Sequence, residues 1–260
     1  MDAHLTSIVK LFETTRYQHD LYTVFGDWCE CAAISLSNAV DLSRRDKREA
    51  RYMEIVARYD RKTLDLFPKI MGELVLALEA APADILGQVF HALELHSKAK
   101  GQFFTPYSIC QLMARMTIDP DMITQSIEKR GYLLAQAPAV GAGVMIIALV
   151  EEMRDDGFNY QQCLHVTAND IDRRAVRMAY IQFTLLHIPA VFIEGDTLRL
   201  QMIDEWRTCA HILGGWDWKL KTRRDAFEEH KTSTSVPRNM ERRPEAICFA
   251  ADKRGQLNLS

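Results

Sequence analysis

No stretch of the chain comes near the roughly 18 consecutive apolar residues that a membrane span needs, so no transmembrane segment is expected. Nor does the sequence open on a leader with a charged start, an apolar middle and a small-residue cleavage site, and a cytoplasmic location is the expectation. The six cysteines, Cys29, Cys31, Cys110, Cys163, Cys209 and Cys248, include no Cys-x-x-Cys pair and no finger-like spacing with histidine. A zinc site is therefore not expected, and reduced core thiols are. An excess of one charge is missing too. The formal net charge of -3 over 260 residues argues against a wholesale polyanion binder and leaves only local basic faces. What is present, 48% hydrophobic and 26% charged residues, is ordinary for one large soluble domain or a domain with an accessory unit.

From residue 1 to about 100 no strand alternation stands out. Ile8, Leu11, Phe12 and Thr15 recur at helical spacing, as do Leu74, Val75 and Leu78, and, after a break at Pro82, Ile85, Leu86, Val89, Phe90 and Leu93. Between Asp41 and Lys62 basic and acidic residues alternate densely, the pattern of a solvated helix face laced with ion pairs. A phosphate-contacting patch is the competing reading of the same segment.

The centre of the chain is patterned differently. An apolar run, Tyr132 to Ala135, leads into the turn Gln136-Ala137-Pro138-Ala139-Val140-Gly141-Ala142-Gly143, and a helical pattern follows from Val144 to Arg154. Such a turn leaves backbone N–H groups free for a ligand's polar end, and Gly141 and Gly143 let the backbone approach it closely. Two more strand candidates, Leu164 to Ala168 and Val191 to Glu194, end at Asn169-Asp170-Ile171-Asp172 and at Gly195-Asp196-Thr197. In an open parallel sheet all three ends face one crevice. Between the last two, Ala175, Met178, Ala179, Ile181, Gln182 and Leu185 form a helix face that packs on the sheet.

Upstream, Asp84-Ile85-Leu86-Gly87 is followed by Gly101-Gln102-Phe103-Phe104-Thr105-Pro106. With the glycine turn and Gly195-Asp196-Thr197-Leu198, these motifs stand in an order that resembles the modification subunits of type I restriction systems and their relatives, the adenine-N6 DNA methyltransferases. The resemblance covers about Asp84 to Thr197. It implies S-adenosylmethionine as cofactor, with Phe103 and Thr105 at its methionine end, Pro138, Gly141 and Gly143 in the loop beneath it, Asp170 on the ribose hydroxyls and Asp196 on the adenine amino group. Asp172 competes with Asp170 for the ribose, its other reading being a cap on the helix that starts near Arg173. Where the family has an acid before the proline, this chain has Ala137.

The family's target-amine motif, Asn or Asp followed by Pro-Pro and an aromatic, occurs nowhere in the sequence. At the right distance after Asp196 lies Ala210-His211-Ile212-Leu213-Gly214-Gly215-Trp216-Asp217, and aligning it as a fourth strand and its turn nominates Trp216, Gly214 and Asp217 as catalytic positions. Gly214 would offer its carbonyl, and Asp217 or His211 would replace the acceptor that Leu213 lacks; otherwise the methyl-transfer step is impaired and the chain binds DNA or a partner only.

From Lys219 to Ser260 ten basic residues oppose six acidic ones, so phosphate contacts compete with a mixed surface loop there, and Glu245 to Ala251 pairs with Gln256 to Leu259 as an expected hairpin. The expected architecture is α/β, a Rossmann-like class I methyltransferase sheet over residues 101–260 preceded by a helical region over residues 1–100. DNA is the expected partner, with no membrane. With no room seen for a target-recognition domain, specificity is expected to come from elsewhere, such as a partner subunit, or to be low; a partner subunit or a homo-oligomer is the expected protein partner.

Overall fold

The computed structural model describes residues 3–95, 105–222 and the backbone of 247–248. Six helices come first: α1 (Ala3–Glu13), α2 (Leu21–Asn38), α3 (Arg45–Val56), α4 (Arg61–Leu64), α5 (Phe67–Ala80) and α6 (Ile85–Ala92). Asp20 and Asp60 start α2 and α4 by accepting the backbone N–H of Thr23 and Thr63, and α5 stops two residues before Pro82. Next stand α7 (Tyr107–Thr117) and α8 (Pro120–Arg130), the latter closed by Gly131 at φ 81. The sheet then builds as β1 (Leu133–Ala137), α9 (Val144–Asp155), α10 (Tyr160–Cys163), β2 (Leu164–Asp170), α11 (Arg173–Leu185), β3 (Ala190–Asp196), β4 (Gln201–Arg207), α12 (Cys209–Leu213) and β5 (Ile247–Cys248).

Strand order is β4-β3-β2-β1-β5; β1, β2, β3 and β5 run parallel and β4 runs antiparallel along β3. This is a Rossmann-like α/β sheet behind a helical region, and each βα crossover returns the chain to the same edge, so β1, β2 and β3 all end together. The three strands lie where their apolar runs placed them, one to three residues longer. β4 has no apolar alternation, exposes Met202 and Ile203, and is bulged opposite Gly195; a Cβ there would stand 2.0 Å from the Gln201 carbonyl oxygen.

One expectation fails here. The run Ala210 to Leu213 is a helix, not a fourth strand, because Thr208 caps it: its hydroxyl accepts the His211 N–H at 3.3 Å. Within the segment expected as the first arm of a hairpin, β5 pairs in parallel with β1, Ala135 opposite Ile247 and Gln136 opposite Cys248. The other proposed arm, Gln256 to Leu259, and the basic tail beyond Thr222 lie outside the described residues.

One apolar core runs from Ile8 and Phe12 through Trp28, Leu74 and Phe90 to Ile147, Val166, Phe183 and Phe192, so the helical region packs directly on the sheet domain. Polar links cross the same boundary. The side-chain amide of Gln182, fully buried in α11, accepts the Leu86 N–H at 3.0 Å and donates to Asp84 Oδ1 at 3.0 Å and to the Ala142 carbonyl at 2.9 Å. Asp84 also caps α6 through the Gly87 N–H at 2.9 Å, and a Cβ on Gly87 would fall 2.0 Å from its carboxylate. The Asp-x-Leu-Gly motif is thus a clasp that holds α6 to the glycine turn. Arg48 of α3 and Arg177 of α11 lie on the Trp206 ring, each 3.9 Å from its centroid. The arginines of the charged segment are largely consumed in ion pairs: Arg44 with Asp204, Arg48 with Asp41, Arg51 with Glu30 and Glu54, Arg58 with Asp27.

Candidate cofactor site

The ends of β1, β2 and β3 are bonded to one another. In the turn after β1 the Val140 N–H donates to the Asn169 carbonyl at 2.8 Å and the Gly141 N–H donates to Asp170 Oδ2 at 2.8 Å. Asp170 Oδ1 takes the Asp172 N–H at 2.9 Å, and the Thr197 hydroxyl reaches back to the Pro138 carbonyl at 3.0 Å. Pro138, Gly141, Asp170 and the Asp196-Thr197 turn are therefore brought into one crevice edge.

Gly141 and Gly143 hold φ values of 56 and 95, the left-handed region that a side chain resists. Gly143 has a second reason to be glycine: a Cβ would stand 2.5 Å from the Phe183 ring, so it permits α9 to pack on α11. Asp172 is the N-cap of α11, accepting the Arg174 N–H at 2.9 Å, which leaves Asp170 as the acid at the strand end. Burial pushes the Asp170 carboxyl above the usual carboxylate range, opposed by the N–H groups of Asp172 and Gly141. Each of its oxygens keeps a lone pair for another donor. Asp196 Oδ1 accepts the N–H groups of Leu198 and Arg199 at 2.9 and 3.1 Å, and Oδ2 faces Arg199 at 3.5 Å. Ile171 and Leu198, 68% and 89% exposed beside these two acids, offer apolar faces to a flat ring. Sequence reading passed them over because an apolar residue after a strand end reads as core until its exposure is known.

Ala137 is buried, so a methyl group stands where the related pattern has a carboxylate. Thr105 is exposed just ahead of α7, which packs along α9 through Cys110 and Ala114 against Val144 and Ala148; Phe103 lies outside the described residues. Tyr107 donates to Glu151, also bonded to Gln111, which pins α7 to α9.

Trp216, Gly214 and Asp217 are not at this edge. Trp216 is buried against Tyr132, which precedes β1, and His165, the second residue of β2, at ring distances of 5.4 and 5.2 Å. That is the opposite end of the sheet, about 15 Å from Asp170 at the rise of a strand. The three residues nominated as catalytic therefore stand away from the cofactor edge, and the reason is local. A Cβ on Gly214 would meet the Ala210 carbonyl oxygen at 2.6 Å and the Trp216 ring at 2.8 Å, and Gly215 has φ 63. The Gly-Gly pair is the turn that swings Trp216 under the sheet after α12. Asp217 accepts from Arg207 at 2.7 Å and meets His211 Nε2 at 3.2 Å, while His211 Nδ1 lies 2.9 Å from His165 Nε2.

A family model described as N-6 DNA Methylase matches residues 83–240, more than half of the chain. The chain belongs to the N-6 DNA methylase family. The match opens at the clasp around Asp84 and spans all three strand ends. Among solved structures, a Listeria monocytogenes protein provisionally assigned as a class I S-adenosylmethionine-dependent methyltransferase aligns with 13% identity and a TM-score of 0.40, over 78% of this chain and 57% of that one. No curated protein matches the chain.

S-adenosylmethionine is the cofactor of N-6 DNA methylases, and the residues fit its adenosyl half. A half-buried carboxylate with spare lone pairs ends β2, a backbone turn with two left-handed glycines lies across from it, and exposed apolar faces flank the two acids. Ala137 offers no side-chain polar atom to the cofactor or to the loop.

Proposed function

We propose that this chain binds S-adenosylmethionine across the ends of β1, β2 and β3 and acts on DNA as an adenine-N6 methyltransferase. The observation that carries the reading is Asp170: one carboxylate ties the glycine turn to the end of β2 and still has room for the ribose hydroxyls. Asp196 takes the adenine amino group, Ile171 and Leu198 cover the ring, and Pro138, Gly141 and Gly143 shape the floor. Thr105 and Phe103 serve the methionine end, by the order of motifs alone. Bound there, the cofactor supplies an electrophilic methyl group on a sulfonium. The target amine needs an acceptor from a strand that ends at this same edge beside the glycine turn, and among the described residues β5 is the strand so placed. The Asn/Asp-Pro-Pro-aromatic tetrapeptide is absent from the sequence, so the rate of transfer is the quantity to measure.

A restriction-modification setting, a cytoplasmic location and a partner subunit that supplies sequence recognition complete the proposal. No helix among the described residues is long and apolar enough to cross a membrane. The test is calorimetric titration with S-adenosylmethionine, followed by incubation of protein, DNA and methyl-labelled cofactor. Saturable binding that Asp170→Ala removes, with label in N6-methyladenine, is the expected result. Absence of binding overturns the cofactor assignment; binding with no label in DNA leaves a cofactor-binding protein that does not transfer.

A further inference from the structure

At the edge of the sheet remote from Asp170 lies a groove of about 300 Å³. Its floor is Tyr132 and the buried Trp216, and its walls are Arg130, Gln162, Trp218 and Lys219. Among the described residues the lining carries two cations and no acid. The neighbouring acid, Asp217, is turned away and held by Arg207 and His211. Trp218 is 71% exposed, a large aromatic surface left in water on a wall that is otherwise polar. Lys219 sits 4.5 Å over the Trp216 ring, so its ammonium is held at the groove instead of swinging free. The frame is rigid: Gly131 caps α8 in the left-handed region and places Arg130, while the Gly214-Gly215 turn fixes the start of the helical residues 216–222.

Charge selects an anionic occupant, and the exposed indole selects one with a flat face. A duplex keeps its base faces stacked on each other and cannot present one to Trp218, whereas a single strand can. We infer that this groove is a second nucleic-acid site, taking single-stranded DNA with one base stacked on Trp218 and its flanking phosphates between Arg130 and Lys219. It lies about 15 Å along the strands from the edge that carries Asp170, so a strand held there is separate from anything bound at that edge. The site is independent of the function proposed above.

Fluorescence anisotropy of the full chain with a labelled oligothymidylate of about 12 nucleotides tests it. Wild type binds the single strand, and Trp218→Ala weakens binding about tenfold, within the range for one base–aromatic stack. Arg130→Gln with Lys219→Gln lowers the slope of log affinity against log salt by about 1.4, as for two lost phosphate contacts on a single strand. Affinity for a duplex of the same length is unchanged in Trp218→Ala. Equal single-strand affinity of Trp218→Ala and wild type overturns the site, as does a mononucleotide that competes as well as the oligonucleotide. Because Trp218 is exposed, its removal spares the fold, which an unchanged thermal midpoint verifies. Calorimetry with S-adenosylmethionine on the same variant separates the two claims: loss of the cofactor site appears there, and loss of the groove appears only in the anisotropy.

Discussion

The two edges of the sheet are built from opposite materials. Where β1, β2 and β3 end, carboxylates and glycines are tied by backbone hydrogen bonds, and Ile171 and Leu198 stand exposed. Where the same strands begin, Tyr132, His165, His211 and Trp216 are packed out of water. A carboxylate whose partners are backbone N–H groups costs little more to solvate with a ligand's hydroxyls, whereas a buried ring has nothing left to offer. At the first edge the polar groups themselves face outward, whereas at the second the buried rings hold the strands together and only Arg130, Trp218 and Lys219 outside them are open to a ligand.

Removing Trp216 tests that division most severely. Trp216→Ala empties a fully buried site and is expected to cost about 3–5 kcal/mol of stability, read as a lower urea midpoint. In the fraction that stays folded, affinity for S-adenosylmethionine is unchanged; a proportional loss of affinity would show that Trp216 belongs to the cofactor edge after all. Asp170→Ala should do the reverse. Two ribose hydrogen bonds to a charged acceptor vanish, and the Gly141 and Asp172 N–H groups lose their partner, so affinity falls about 100-fold by calorimetry. Stability falls less than for Trp216→Ala, because the freed N–H groups at this edge reach water.

Much of this arrangement is legible from residue order alone, since crossover handedness forces successive parallel strands to end on one side. Asp170 and Asp196 were readable because polar residues after apolar runs mark strand ends. The error over Gly214 and Trp216 arose because an apolar run of four residues reads equally as strand or helix, and the deciding residue, Thr208, precedes it as a cap. A Gly-Gly-aromatic turn also looks the same whether it faces a ligand or a core. The helical spacing puts Gln182 on the face expected to pack on the sheet, whereas its three hydrogen bonds reach α6 and the glycine turn, residues distant in sequence that no local pattern reveals. β4 shows no strand pattern because its outer face is solvated and its hold comes from its ladder with β3 and from Arg44 and Arg48, which donate to the Glu205 carbonyl from far away in sequence.

Acid sharpens the contrast further, because each side carries a buried titratable group. Burial lowers His165 to about 3 and also lowers His211, so both imidazoles are neutral at pH 7, with His165 Nε2–H donating to His211 Nδ1 if His211 donates to Asp217. The unfolded chain protonates its histidines near pH 6.5, before the folded one does, so stability is intact above that value and falls as the medium acidifies toward the folded value. From pH 6.5 to 5 His165 alone accounts for a loss of about 2 kcal/mol. His165→Gln should flatten that part of the urea-midpoint profile; an unchanged profile would mean that water reaches the ring.

Asp84 carries the opposite sign. It is fully enclosed in the clasp behind the glycine turn, and burial raises its carboxyl to about 6 despite the Gln182 and Gly87 donors. Between pH 4 and 6 the folded protein holds this proton more tightly than the unfolded chain, so the group's contribution is greatest below pH 4 and declines as pH rises. Asp84→Asn keeps an oxygen to accept both donors and has no charge to bury. Relative to wild type, the variant should gain about 1 kcal/mol on going from pH 4 to 5, read from paired urea midpoints, and nothing further above pH 7. If the variant instead loses stability uniformly across the range, water reaches the carboxylate and Asp84 is charged in the folded protein throughout.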